Sequence, residues 1–285
     1  MNPTNRYERC LVLLSLLAML LLPSVVNAAT RYDIGLGVEY ATGQYGTGIT
    51  TDAVFVPFTV DVYPTERLDF SLQLPLVYQS SSAVVGGEFM GMRQPTSMGS
   101  LSTAMAAMTG PGPRTTASPA DINNSQYGLG DMKLCAGYVL YTEEKYVPAI
   151  RPNFFLKIPT ADKNKFLGTG AFDGGLAVEL SKWFDRWITD GEMGYTFQGS
   201  STVVSVKDYM YYSAGVGYQV SKNFRPMFLL KGSTPTVDGA SALMEARVSV
   251  KYQLTKNTGI DGYVAKGITT ASPDFSTGMS IFYYF

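Results

Sequence analysis

The chain contains no histidine. That absence removes Ser-His-Asp and Cys-His catalysis and most zinc or copper centres, because each of those chemistries leans on an imidazole. An enzyme is therefore not expected, and neither is a cofactor or a metal. There are only two cysteines, Cys10 and Cys135. Charged residues make up 16% of the chain and sum to a net charge of −1, with no block of like charge to bind nucleic acid. After Val26 no apolar run approaches the ~20 residues that a membrane helix needs.

What is present begins with MNPTNRYERC LVLLSLLAML LLPSVVNAAT. Arg6 and Arg9 supply a positive start, Cys10 to Val26 an apolar stretch broken by Pro23, and Val26-Asn27-Ala28 small residues for a peptidase. Residues 1–28 read as a cleavable secretory signal and 29–285 as one domain. Cleavage after Ala28 leaves Cys135 alone, so no intrachain disulfide staples the fold.

The domain alternates with a period of two. In RYDIGLGVEY, Tyr32, Ile34, Leu36, Val38 and Tyr40 share one face; Asp33, Gly35, Gly37 and Glu39 share the other. The same rule places Leu68, Phe70, Leu72, Leu74, Leu76 and Tyr78 against Asp69, Ser71 and Gln73. It sets Met132 to Leu140 against Asp131, Lys133 and Cys135, and Ile150 to Ile158 against Arg151, Asn153 and Lys157. It continues through weak alternation over Ile260–Ile268 to Met279, Ile281, Tyr283 and Phe285. The count predicts twelve strands. Connectors alternate between short polar turns (64–67, 142–147, 181–186, 221–225, 255–259) and longer loops rich in Gly, Ser and Thr.

A soluble sandwich or lipocalin-like barrel would bury its apolar face and expose a charged one. Here the polar face is rich in glycine and small residues, and the chain carries 19 tyrosines, the residue of membrane-interface girdles. The expected fold is all-β: an antiparallel up-and-down transmembrane barrel of the bacterial outer membrane, with both termini periplasmic. Its expected partners are outer-membrane lipid, the barrel-assembly machinery, which would read Ile281, Tyr283 and Phe285 as its signal, and a small-molecule solute.

Two segments carry a family resemblance. YGLGDMKL (Tyr127–Leu134) and FFLKIPTADKNKFLGTGAFD (Phe154–Asp173), with a later Ser-Lys pair entering a turn, resemble the outer-membrane barrel family labelled "MetA-pathway of phenol degradation". The resemblance runs over Tyr127–Phe285, and Ala161 stands where the motif more usually has Gly. It implies a transporter-like or channel-like protein.

The candidate lumen and selectivity residues are Asp61, Asp69, Asp131, Lys133, Arg151, Lys157, Asp173, Glu179, Asp190, Glu192, Lys231, Glu245, Arg247 and Lys251, with Asp33, Glu39 and Asp261 on the same parity. An antiparallel hairpin pairs residues of constant index sum, so Arg151 is expected opposite Glu179 and Lys157 opposite Asp173. Asp131 is expected beside Lys157 at the extracellular mouth. Such pairs either rigidify the wall or select solutes, and the acidic excess predicts cation preference in an open lumen. Lys266 breaks the parity of its strand.

Residues 80–126 form the longest loop, with Met90, Met92, Met98, Met105 and Met108. It reads as a lid or plug touching apolar solutes, as a Met-based Cu(I) site, or as a mobile surface loop, with a short helix over SLSTAMAAMTG. The function expected is a channel or transporter for small solutes, hydrophobic or aromatic ones among them. The alternative is a structural or interaction barrel with a plugged lumen.

Overall fold

The computed structural model describes residues 30–85, 112–113, 124–237 and 239–285. The signal segment and the five loop methionines lie outside the described residues. The strands are β1 (Arg31–Gly43), β2 (Thr51–Tyr63), β3 (Leu68–Gln79), β4 in two segments (Gln126–Leu129 and Met132–Tyr138), β5 (Ala149–Ile158) and β6 (Asp173–Phe184). They continue as β7 (Trp187–Phe197), β8 (Tyr209–Tyr218), β9 (Phe224–Ser233), β10 (Leu243–Thr255), β11 (Thr258–Gly267) and β12 (Phe275–Tyr284). Each pairs antiparallel with its sequence neighbours, and β12 pairs back onto β1 from Asp33↔Tyr284 to Thr42↔Phe275. The twelve strands therefore close into a barrel, which leaves no edge. A two-residue ladder joins Val84–Val85 to Gly112–Pro113 in the long connection after β3.

Alternation along each strand sets the two faces. Ile34, Leu36, Val38, Leu74, Leu76, Leu176, Val178, Val248, Val264 and Ile281 point outward. Asp33, Glu39, Asp61, Glu179, Glu245 and Asp261 point inward and are almost wholly withdrawn from water. This is a soluble protein turned inside out. Only hydrocarbon around the wall makes such an apolar exterior favourable, and a charge on that face costs about 2–4 kcal/mol at mid-bilayer. A one-residue slip of any strand would put its charges in lipid, so register is strongly fixed.

The short turns lie at the barrel end that also holds both termini of the wall. Two of them are tighter than the sequence suggests and others are shifted. Ser181–Phe184 stay in β6, leaving Asp185 and Arg186 as the turn; β9 starts at Phe224; Thr255 stays in β10, leaving Lys256 and Asn257. The β4 stripe ends earlier than expected, at Tyr138, and Leu140 lies in the connection to β5. Aromatic pairs ring this end on the outside: Trp187–Tyr218 at 4.8 Å, Tyr32–Phe285 at 4.9 Å and Tyr283–Phe285 at 4.8 Å between centroids. Lys266 points outward between Val264 and Ile268, near the long-loop end of β11.

Strand β4 departs from simple alternation. Its upper segment pairs with β3 as Leu76↔Leu129 and its lower segment as Gln73↔Lys133, so one extra residue is inserted at Gly130-Asp131. This is a β-bulge, anchored by Gly130 N donating to Pro75 O at 2.9 Å. It lets both Gly130 and Asp131 face inward while Leu129 and Leu134 still face outward.

Candidate functional site

The interior wall carries the chemistry. Of the candidate lumen residues, Asp61, Asp69, Asp131, Lys133, Arg151, Lys157, Asp173, Glu179, Asp190, Glu192, Lys231, Glu245 and Arg247 are buried inside, and Lys251 is half-buried. They gather into distinct clusters.

At the long-loop mouth, Lys157 and Asp173 are register partners on β5 and β6. Lys157 Nζ lies 2.5 Å from Asp173 Oδ2 and 3.2 Å from Asp131 Oδ2, and donates to Thr169 Oγ1 at 2.8 Å. The bulge is what aims Asp131 here. Asp131 Oδ1 also accepts from Ala161 N at 3.0 Å, while Thr160 Oγ1 donates to Gly130 O at 2.7 Å and accepts from Met132 N at 2.9 Å. Gly168 closes over the same carboxylate, where a Cβ would lie 2.7 Å from Asp131 Oδ2. The two sequence motifs are thus the two halves of one clasp.

Lower down, Arg151 faces Glu179 across the β5–β6 ladder, with Nη1 3.0 Å from Oε2. The same guanidinium reaches Asp69 on β3, with Nη2 2.6 Å from Oδ1. On the other side of the barrel, Arg247 Nε donates to Glu245 Oε1 at 3.0 Å, and its guanidinium carbon stands 3.7 Å above the Tyr263 ring. Tyr263 in turn donates to Glu39 Oε2 at 2.8 Å. Near the short-turn end, Arg225 stacks on Trp183 at 5.4 Å, Lys251 is the register partner of Asp261, and Asp33 that of Asp61.

Parity also brings in rings that charge-based reading passes over. Phe155, Tyr209 and Tyr211 cluster with Ala177, and Lys133 Nζ sits 4.7 Å from the Phe155 centroid. Phe55, Tyr263 and Phe282 face inward too. Arg225 lies inside although it reads as part of a turn. A signal for two of them was even spacing from a charged residue on the same strand: Phe155 from Lys157, and Arg225 from Lys231. Inward carboxylates outnumber bases. Among the described residues, eleven acids are buried (Asp33, Glu39, Asp61, Asp69, Asp131, Asp173, Glu179, Asp190, Glu192, Glu245, Asp261) against six buried bases (Lys133, Arg151, Lys157, Arg225, Lys231, Arg247) and the half-buried Lys251.

The long loops knit together above the mouth. Leu167 tucks against Phe55, Val77 and Ala161. Val204 and Val237, from different loops, pack with Phe166, Val203, Val206 and Ala240. Gln198 Nε2 donates to Lys207 O at 2.7 Å and to Thr236 O at 2.9 Å, and Ser201 Oγ to Thr169 O at 2.7 Å.

Residues 42–285 match the family described as "Putative MetA-pathway of phenol degradation". The chain belongs to that family. Among solved structures it is similar to an outer membrane channel from Pseudomonas putida F1, at 12% identity, covering 91% of this chain and 97% of that one, with a TM-score of 0.65. It is also similar to the NanC porin, at 9% identity, covering 88% and 98%, with a TM-score of 0.50. At such identities the likeness speaks to the fold, a barrel of the outer-membrane type. No curated protein matches by sequence.

Proposed function

We propose that this family member is a narrow outer-membrane channel for small solutes with a preference for cations and for molecules that carry an apolar part. One observation carries the reading: a closed barrel with an apolar exterior and, among the described residues, an interior of eleven carboxylates, seven bases and several aromatic rings. A wall that served only as a scaffold would need no such interior, because charge withdrawn from water is costly unless matched. Ion pairing holds most of the long side chains against the wall, as with Arg151, Lys157 and Arg247. The carboxylate excess draws cations toward the lumen. The inward rings, themselves almost wholly covered, add apolar groups to the inner wall. The similar fold of a bacterial outer membrane channel supports the same reading.

In this reading the signal segment directs export, the short turns and both termini face the periplasm, the long loops face outward, and Ile281, Tyr283 and Phe285 guide assembly. The barrel does no catalysis. A second reading is favoured by a different observation. The inward side chains are almost wholly withdrawn from water and the loops interlock, as a plugged structural barrel would require. Solute influx into proteoliposomes decides between them. Uptake of small solutes by the refolded barrel, above protein-free vesicles and falling with solute size, supports the channel; impermeability to every small solute supports the plug.

A further inference from the structure

Most inward charges have a committed partner, but one stretch of wall does not follow that rule. The register rows place Arg151, Glu179, Glu192, Ser213, Lys231 and Glu245 side by side across β5 to β10. Arg151 is engaged by Asp69 and Glu179 at one end of this row, and Glu245 by Arg247 and Ser276 at the other. Between those two closed networks, Glu192 and Lys231 form no hydrogen bond or ion pair among the described residues. They are 6% and 5% exposed, and Glu192 Oε1 is fully covered without a hydrogen-bond partner. The hydroxyls of Ser213, between them, and of Ser233, two residues along from Lys231, are also without partners. Tyr211 lies on the same face of β8, two residues from Ser213, within the ring cluster of Phe155 and Tyr209.

Glu192 and Lys231 stand on strands β7 and β9, two strand spacings or about 9–10 Å apart along the wall. Protein interiors rarely keep a buried acid and a buried base unmet at such close range. The pair offers one acceptor and one donor of opposite charge with a hydroxyl between. We propose that this gap is a binding site for a small zwitterion of the amino-acid type. The ligand's ammonium meets Glu192 and its carboxylate meets Lys231. A simple anion leaves Glu192 unmet and faces the repulsion of Glu179 beside it. A simple cation leaves Lys231 unmet, and a neutral ring leaves both. The inference deepens the channel reading by naming a solute class, and it depends on that reading only for access.

The test is equilibrium dialysis of radiolabelled L-phenylalanine against the folded barrel in detergent, which requires no conduction. Expected is saturable binding that benzoate and phenethylamine compete for poorly. Glu192→Gln and Lys231→Met each weaken it by about tenfold or more, the loss of one charged contact. The charge-swapped double variant Glu192→Lys with Lys231→Glu recovers it, and Lys266→Met, on the outer surface, leaves it unchanged. Competition on the unmutated barrel stands even where a variant fails to fold. Absence of saturable binding by a barrel with heat-modifiable gel mobility overturns the proposal, as does benzoate competing as well as phenylalanine. A barrel that conducts but does not bind phenylalanine sinks this inference alone. One that binds but passes nothing sinks the channel reading alone.

Discussion

Arg151 reaches Asp69 by passing over Gly137. A Cβ at position 137 would lie 2.1 Å from Arg151 Nη2, inside the space the guanidinium occupies. Gly137 stands opposite Asp69 on β3 and opposite Asn153 on β5, so the gap opens at the point where the bridge must cross β4. Gly137→Ala is expected to push the guanidinium away from Asp69 and to destabilise the barrel by about 1–3 kcal/mol. Urea unfolding in detergent micelles measures this. In an Arg151→Met background the same glycine change should cost much less, because the clash and the bridge are already gone.

Lys157 bridges two acids in the mouth clasp, Asp131 and Asp173. Lys157→Met takes away the cation that Asp131 and Asp173 share, a loss of about 3–5 kcal/mol for a buried pair broken on one side. The damage should extend into the loops, since Asp131 also holds Ala161 N and Asp173 holds Gly199 N. Limited proteolysis reads this directly: cleavage within 159–172 and 198–208 should speed up while the wall stays resistant.

The loop cluster over the mouth gives a different expectation. Val204 and Val237 are 4% exposed and come from separate loops. Val204→Asp buries a carboxylate among apolar neighbours, which is costly enough that the loops should part instead. Solute influx should then rise while thermal resistance of the wall stays close to that of the unmutated barrel. A fall in influx would mean that the cluster shapes the passage rather than covering it.

The chain end is tied to its start. Phe285 N donates to Tyr32 O at 3.1 Å and its ring packs on Tyr32 and Tyr283. Removing Phe285 loses two ring pairs, each worth about 0.5–1.5 kcal/mol. A modest drop in unfolding midpoint is expected in vitro. A much larger drop in outer-membrane yield in cells would reveal the extra role in assembly.

The fold was legible in the sequence because the barrel wall repeats one rule. Inward and outward positions differ so sharply in polarity that Ile34 and Asp33, or Leu176 and Glu179, announce their faces unaided. The pairings Arg151–Glu179 and Lys157–Asp173 were legible for the same reason, since that hairpin keeps one register throughout. The Asp69–Arg151 bridge was not. It spans non-adjacent strands over a glycine, and no local pattern encodes which strands a long side chain will cross. The bulge at Gly130-Asp131 was hidden because one inserted residue flips parity without changing composition. Tyr211, Phe155 and Arg225 were passed over because aromatics inside a barrel look like aromatics outside it until the parity of the whole strand is followed. The turn ends shifted inward because Ser, Lys and Thr suit a wet strand end as well as a turn.

The most direct measurement is the zero-current potential of single barrels in a planar bilayer under a potassium chloride gradient, beside a variant lacking Val84 to Ala117. The account predicts unitary steps, in the full chain or after the loop is removed, with a potential of the sign that marks cation preference. Charge-neutralising Glu192→Gln should move it toward zero. Folded barrels that give no steps in either chain, or steps that favour chloride, would contradict a cation-preferring solute channel.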